Sequence, residues 1–261
     1  MNNFLKQSID YANQCNYLDN LFKVYPTIPE DIRDIDNNKW ESVIKAFNTK
    51  DNRLLIESLL KLDLFPIKDS YVAYLKRDKN SITRNPATID RLSGRLYDMG
   101  LNKIFEKSSE PKETNRQIGP LFKNWLNSGV LGVDKCSVDK FLKSTKNVIL
   151  DASDHEMKAF ANEHLGYKHT KGLDLVAKFN NKYIIGEAKF LTDFGGHQNA
   201  QFADAIATIT SEVNSGVIKI AILDGVLYIP SNNKMYKDIT QKYQNLNIMS
   251  ALLLPTFLYQ V

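Results

Sequence analysis

Branched and aromatic residues concentrate in two short runs, L-D-L-V-A-K-F at 173–179 and K-Y-I-I-G-E-A-K-F-L at 182–191, separated by Asn180 and Asn181. Val176, Phe179, Tyr183, Ile184 and Ile185 are favoured in strands, and paired asparagines tolerate the positive φ of a two-residue turn, so the pattern predicts a β-hairpin. Apolar runs at 217–223 and 226–229 flank Asp224 and Gly225, which predicts a second hairpin extending the same sheet. Other stretches repeat at helical spacing. Met157, Phe160, Ala161 and Leu165 predict a helix over 151–165, with Ser153 and Glu156 as a capping box. Phe202, Ala205, Ile206 and Ile209 predict another over 198–213, opened by the glycine-rich turn T-D-F-G-G-H. The tail, 251–261, is apolar but interrupted by Pro255, which predicts a packed terminal strand or interface element rather than a membrane span.

The first hundred residues carry helical periodicity without strand pairs or an internal repeat. Helices are predicted at 2–17, 29–33, 40–47 and 53–61, then a break at D-L-F-P, then a helix at 69–76. The run K-R-D-K-N-S-I-T-R at 76–84 is a basic loop. Asn85 and Pro86 start a helix that ends before Gly100, with Ile89, Leu92 and Leu96 inward and Arg91 and Arg95, four apart, on the solvent side. A polar, proline-containing stretch at 106–112 marks a boundary. Beyond it Phe122, Trp125 and Leu126 share helical spacing, which reads Trp125 as core. The expected fold class is α/β over 109–261, with a helical N-terminal subdomain over 1–108.

Composition narrows the function class only a little. With 261 residues, 43% hydrophobic, the chain can bury a sizeable core, so extended disorder is not expected. A net charge of +4 is compatible with nucleic acid without identifying it. Two cysteines, Cys15 and Cys136, and no clustered histidines exclude a zinc site of the usual spacing. The first residues lack a long apolar stretch with a cleavage signal, so a cytoplasmic location is expected.

The candidate chemistry sits in the first hairpin. Side chains alternate along a strand, so Glu187 and Lys189 share a face, and the turn brings Asp174 to them from the partner strand. Two acidic oxygen donors beside a lysine suit a hard divalent cation and the water it activates, the equipment of phosphodiester hydrolysis. The triplet E-x-K alone carries little, since it also occurs at Glu110–Lys112 and Glu156–Lys158; only the third lies in a strand with an acid upstream on another. The competing reading is a surface hairpin with a solvated ion pair, worth little energetically.

On G-L-D followed by G-E-A-K, the sequence resembles the PD-(D/E)XK nuclease superfamily and, within it, the type II restriction endonucleases. Leu173 stands where that pattern has proline. The wider stretch G-E-A-K-F-L-T-D-F-G-G-H-Q-N-A-Q-F is similar too, and the likeness extends over roughly residues 110–225. It implies a mixed β-sheet flanked by helices, with Asp174 and Glu187 as ligands of Mg²⁺ and Lys189 as the residue positioning or polarising the attacking water. A further acid from the preceding helix is implied, for which Glu156 is the candidate, its alternative being a plain capping role. Double-stranded DNA as substrate, a homodimer matched to a palindromic site, and a cognate DNA methyltransferase as genetic partner are further implications.

DNA contacts are expected from Gln198, Gln201 and His197 at the start of the helix after the hairpin, from Arg84, Arg91 and Arg95 in the N-terminal subdomain, and from Arg116 and Gln117 just before the core. Each has a plain alternative as a solvated surface residue. Two other functions stay open at this point: a structure-directed repair or recombination nuclease with the same site but no base readout, and a non-catalytic DNA-binding module whose acids form a structural ion cluster.

Overall fold

The computed structural model of the chain describes residues 1–26, 34–111 and 118–261. The chain divides into two compact units, residues 1–27 with 113–261, and residues 28–112. The predicted helix at 29–33 and the candidate DNA contacts Arg116 and Gln117 lie outside the described residues.

Two helices open the chain, α1 (Asn3–Ala12) and α2 (Tyr17–Val24). They belong to the unit with the sheet and not, as expected, to the helical subdomain. Leu5, Tyr17, Leu21 and Val24 are buried in one apolar cluster with Ile220, Ile222 and Ile248 of the sheet. The Asn2 N–H donates to the Gln244 carbonyl at 2.6 Å, and the Ser250 N–H donates to the Ser8 hydroxyl at 2.9 Å. Amphipathic spacing shows that a helix buries a face; it does not show against which part of the chain.

The second unit is helical: α3 (Asn37–Asn48), α4 (Asn52–Leu60), α5 (Ser70–Arg77), α6 (Ser81–Arg84), α7 (Pro86–Met99) and α8 (Leu101–Ser108). Asp36, Asp51 and Asp69 cap α3, α4 and α5 by accepting from backbone amides, so each helix starts where an acid satisfies N–H groups that have no partner in the helix. Val43, Leu55, Leu59, Leu92, Leu96 and Ile104 form a core of their own. Pro86 begins α7 as expected, but Asn85 gives it no side-chain cap and instead donates to the Ser81 carbonyl at 2.7 Å. Part of the expected basic loop is the short helix α6.

From there the first unit resumes with α9 (Ile118–Asn127), β1 (Asp134–Cys136), α10 (Val138–Lys143), β2 (Val148–Leu150), α11 (Asp154–Leu165), β3 (Leu175–Phe179), β4 (Lys182–Leu191), α12 (Gly196–Thr210) and β5 (Ile218–Gly225). It ends with α13 (Lys234–Lys237), β6 (Ile248–Met249) and α14 (Leu254–Gln260). The strands form one six-stranded sheet in chain order. β2, β3 and β4 run antiparallel to their neighbours in that trio, whereas β1–β2, β4–β5 and β5–β6 pair in parallel. The fold is α/β with a mixed, helix-flanked sheet, as expected. Phe122 is buried and Trp125 half-buried against the core.

The first predicted hairpin forms with Asn180 and Asn181 at φ 49° and 62°, the left-handed pair that a tight two-residue turn demands. The second does not. After β5 the chain enters a 3₁₀ turn at Val226–Tyr228, and β5 pairs in parallel with both neighbours. Asp224 is no turn residue but wholly buried. Gly225 has φ 99°, and a Cβ there would lie 2.1 Å from the Leu191 carbonyl oxygen, so its glycine serves a close strand approach rather than a reversal. The tail is likewise helical instead of a strand, with Pro255 in the first turn of α14, where its missing N–H costs nothing. Among the described residues no helix is long and apolar enough to cross a membrane.

Candidate active site

Register builds the site. Leu175 faces Gly186 across the β3–β4 ladder, and the Asp174 N–H donates to the Gly186 carbonyl at 3.0 Å, which sets Asp174 beside Glu187 where the chain enters the sheet. Upstream, the chain has turned away towards α11, the Leu173 N–H donating to the Asp154 carbonyl at 3.3 Å. The Ala188 N–H is therefore met by the Asp174 side chain, which accepts it at 2.8 Å. Gly186 is required by the packing beneath, since a Cβ would lie 2.9 Å from an Ile220 side-chain carbon.

Glu187 and Lys189, two residues apart, emerge on one face of β4. The Lys189 ammonium lies 2.5 Å from Glu187 Oε1 and 3.5 Å from Asp174 Oδ2. Side-chain exposure is only 8% for Glu187 and 16% for Asp174. Burial, and then the neighbouring Asp174, pushes the Glu187 carboxyl up to about 7, and burial raises Asp174 too. Burial also opposes charge on Lys189, but Asp174 and Glu187 outweigh it and hold its pKa above the ordinary lysine value. Two acids that resist ionisation beside a firmly protonated lysine form a centre that gains from further positive charge.

The trio opens into a concavity of about 430 Å³. Asp154 and Asp204 add acid to its lining, and His155, Lys158 and Lys171 add basic groups. Lys171 pairs with Asp204 at 2.9 Å, and Lys123 pairs with Asp154 at 2.5 Å. Glu156 does not line this concavity; it accepts the Ser153 N–H at 2.7 Å in a complete capping box. Asp154 of the same helix lines it instead. The signal was in the sequence: a glutamate in the third position of a capping box turns back onto the backbone, whereas the first helical residue is free to face elsewhere.

The other expected contacts scatter. Gln198 is buried and accepts the Thr192 N–H at 3.2 Å, tying the end of β4 to α12. His197 and Gln201 lie 3.1 Å apart on α12, and neither lines the concavity. In the helical unit Arg91 pairs with Asp69 at 2.7 Å, Arg95 approaches the same acid at 3.9 Å, and Arg84 pairs with Asp78. Sequence reasoning missed Lys158, Lys171 and Asp204, which only the folded arrangement of α11, α12 and the loop before β3 brings together.

A family model for the Tsp45I type II restriction enzyme matches residues 2–261. The chain belongs to that family. No curated protein and no solved structure matches it. This restriction enzyme is accordingly a site-specific deoxyribonuclease that acts on double-stranded DNA. Membership spans both units, so the helical unit is as much a part of the family as the sheet is.

Proposed function

We propose that the restriction enzyme hydrolyses duplex DNA in the Asp174–Glu187–Lys189 concavity with Mg²⁺ as cofactor, in the manner of the PD-(D/E)XK nucleases. The observation that carries this reading is the convergence of the three side chains where β3 and β4 begin to part, open to a hollow with basic groups on its border. The donor set fits the cation. Among the described residues no group of three or more His, Cys, Asp or Glu side chains is arranged as a metal cage. Two carboxylates facing open space suit Mg²⁺, which keeps several waters and takes remaining ligands from substrate phosphate. Such a cation, when bound, polarises a phosphoryl oxygen and lowers the pKa of a bound water.

The protein's own groups do the rest. Asp174 and Glu187 supply the oxygen donors, and positive charge beside them favours their ionised forms against the burial that now opposes ionisation. Lys189 has three N–H donors; with two directed at the carboxylates, the third is free to orient the nucleophilic water or a phosphoryl oxygen. Lys158 and Lys171 attract the neighbouring phosphates, and Asp154 adds a further acid to the lining. Arg84, Arg91 and Arg95 contact DNA from the helical unit. We further propose that the enzyme acts as a homodimer, because a two-fold protein matches a palindromic site, and that a methyltransferase of the same specificity protects the host DNA.

Plasmid digestion in Mg²⁺ and in EDTA, with wild type, Asp174→Ala and Glu187→Ala, tests the assignment. Discrete fragments are expected only from wild type with Mg²⁺. Comparable fragments from either variant would remove these residues from the site.

A further inference from the structure

A site-specific enzyme must meet base edges somewhere; guanidinium groups and planar amides bond two base atoms at once, and hydroxyls, ammonium groups and carboxylates also serve. The concavity around Asp174 offers mainly carboxylates and ammonium groups, which the reading above assigns to the cation and the phosphates. A second hollow, wholly within the helical unit, differs in kind. It measures about 360 Å³ and is lined by Tyr71, Tyr74, Leu75, Arg84, Asn85 and Thr88.

Its two tyrosines stand out physically. On α5, Val72 and Leu75 turn into the core, while Tyr71 and Tyr74, three apart, are 62% and 60% exposed. Rings left so far in water add little to the unit's own stability, and an amphipathic ring in that position is suited to contact with a partner. Charge on the segment points to the partner: Arg84 lines this hollow, and Lys76 and Lys79 line a neighbouring one on the same unit. Lys76, Arg77, Lys79 and Arg84 are exposed on the same α5–α6 segment, a polyanion's complement. The acids nearby are already engaged: Asp69, with its side chain only 10% exposed, takes Arg91 at 2.7 and 3.4 Å, and Asp78 takes Arg84. Arg91 also lies 5.5 Å from the Tyr71 ring centroid. Guanidinium groups held in this way have less freedom to lose on meeting a ligand. Asn85 donates its amide N–H to the Ser81 carbonyl, which leaves its amide oxygen as an acceptor.

We propose that this hollow is the base-reading site for duplex DNA, with Tyr71 and Tyr74 packing against the groove and Arg84, Asn85 and Thr88 contacting base edges. The proposal rests on the nuclease reading above and assigns recognition to the helical unit, cleavage to the sheet unit.

The full-length enzyme is assayed for kcat/KM on duplexes carrying its mapped site and on duplexes with one base pair of that site changed. Wild type should prefer its own site by about tenfold or more for each changed pair. In Tyr71→Ala/Tyr74→Ala, and independently in Arg84→Gln and Asn85→Ala, that preference should collapse by about tenfold for at least one pair, with an unchanged melting temperature in the exposed-tyrosine variant. Lys158→Ala should lower both rates by the same factor, as a phosphate contact does. Preference undiminished in all three variants overturns the proposal, whether their rates stay constant or fall equally on every duplex. Asp174→Ala is scored separately: if it abolishes cleavage while the tyrosine, arginine and asparagine variants keep full preference, only the base-reading assignment fails.

Discussion

Two buried carboxylate centres lie on adjacent strands of one sheet, and they behave in opposite ways. Glu187 and Asp224 both have carboxyls raised to about 7, in each case chiefly by burial. Asp224 is fully enclosed, and its oxygens accept from Tyr17 at 3.2 Å, Tyr25 at 3.1 Å, the Ala251 N–H at 3.1 Å and the Ser250 hydroxyl. Asp174 and Glu187 have Lys189, one backbone N–H and an open hollow. A perturbed pKa therefore does not separate a structural acid from a functional one here. Satisfaction and access do: the first centre has all the donors it can use, the second has room for a ligand.

The largest effect expected from this contrast is on activity. Asp174→Ala or Glu187→Ala should lower cleavage by on the order of 10²–10³-fold or more while the protein stays folded, because removing one of two crowded carboxylates relieves a cost rather than adding one. Single-turnover rates beside a thermal melt would check both halves. Asp224→Ala should do the reverse. It strands several buried donors, so a loss on the order of 3 kcal/mol in urea unfolding is expected, with cleavage per folded molecule unchanged.

A pH series sharpens the contrast further. Asp224 binds its proton more tightly folded, at about 7, than in its ordinary state near 3.8. Between those values the folded chain holds the proton that the unfolded chain has lost, so this group's contribution is full at low pH, declines as pH rises towards 7 and changes no further above it. Subtracting the stability profile of Asp224→Asn from that of wild type should isolate a decline of a few kcal/mol across that window. A flat difference would show that the four donors hold the carboxylate ionised throughout. The smallest expected effect is on melting in the presence of metal. Mg²⁺ at about a hundred times its Kd should stabilise wild type by about 2.7 kcal/mol and leave Asp174→Ala unaffected. An equal shift in both proteins would place any bound cation elsewhere.

The contrast also explains what the sequence disclosed. The hairpin was legible because its signals are local: asparagines at the turn, branched residues on either side, and an alternation that fixes Glu187 and Lys189 on one face. The parallel pairing of β5 was not, because it is made across the intervening α12, and Asp-Gly carries the same letters whether it reverses a chain or permits a close strand approach. Asp224 looked like a turn residue because the donors that enclose it come from residues 17, 25, 250 and 251. The same distance in sequence hid the attachment of α1 and α2 to the sheet. Within the site, the capping rule separates Glu156, turned back onto the backbone, from Asp154, which lines the concavity, whereas Lys171 and Asp204 meet only once α12 packs beside the loop before β3.

The most direct measurement is digestion of one plasmid by wild type, Glu187→Ala and Asp224→Ala, each held where it is folded, in Mg²⁺ and in EDTA. Wild type and Asp224→Ala should yield the same discrete fragments in Mg²⁺ and none in EDTA, and Glu187→Ala should yield none in either. Fragments from Glu187→Ala, or their loss from folded Asp224→Ala, would contradict the division between an open catalytic centre and a sealed structural one.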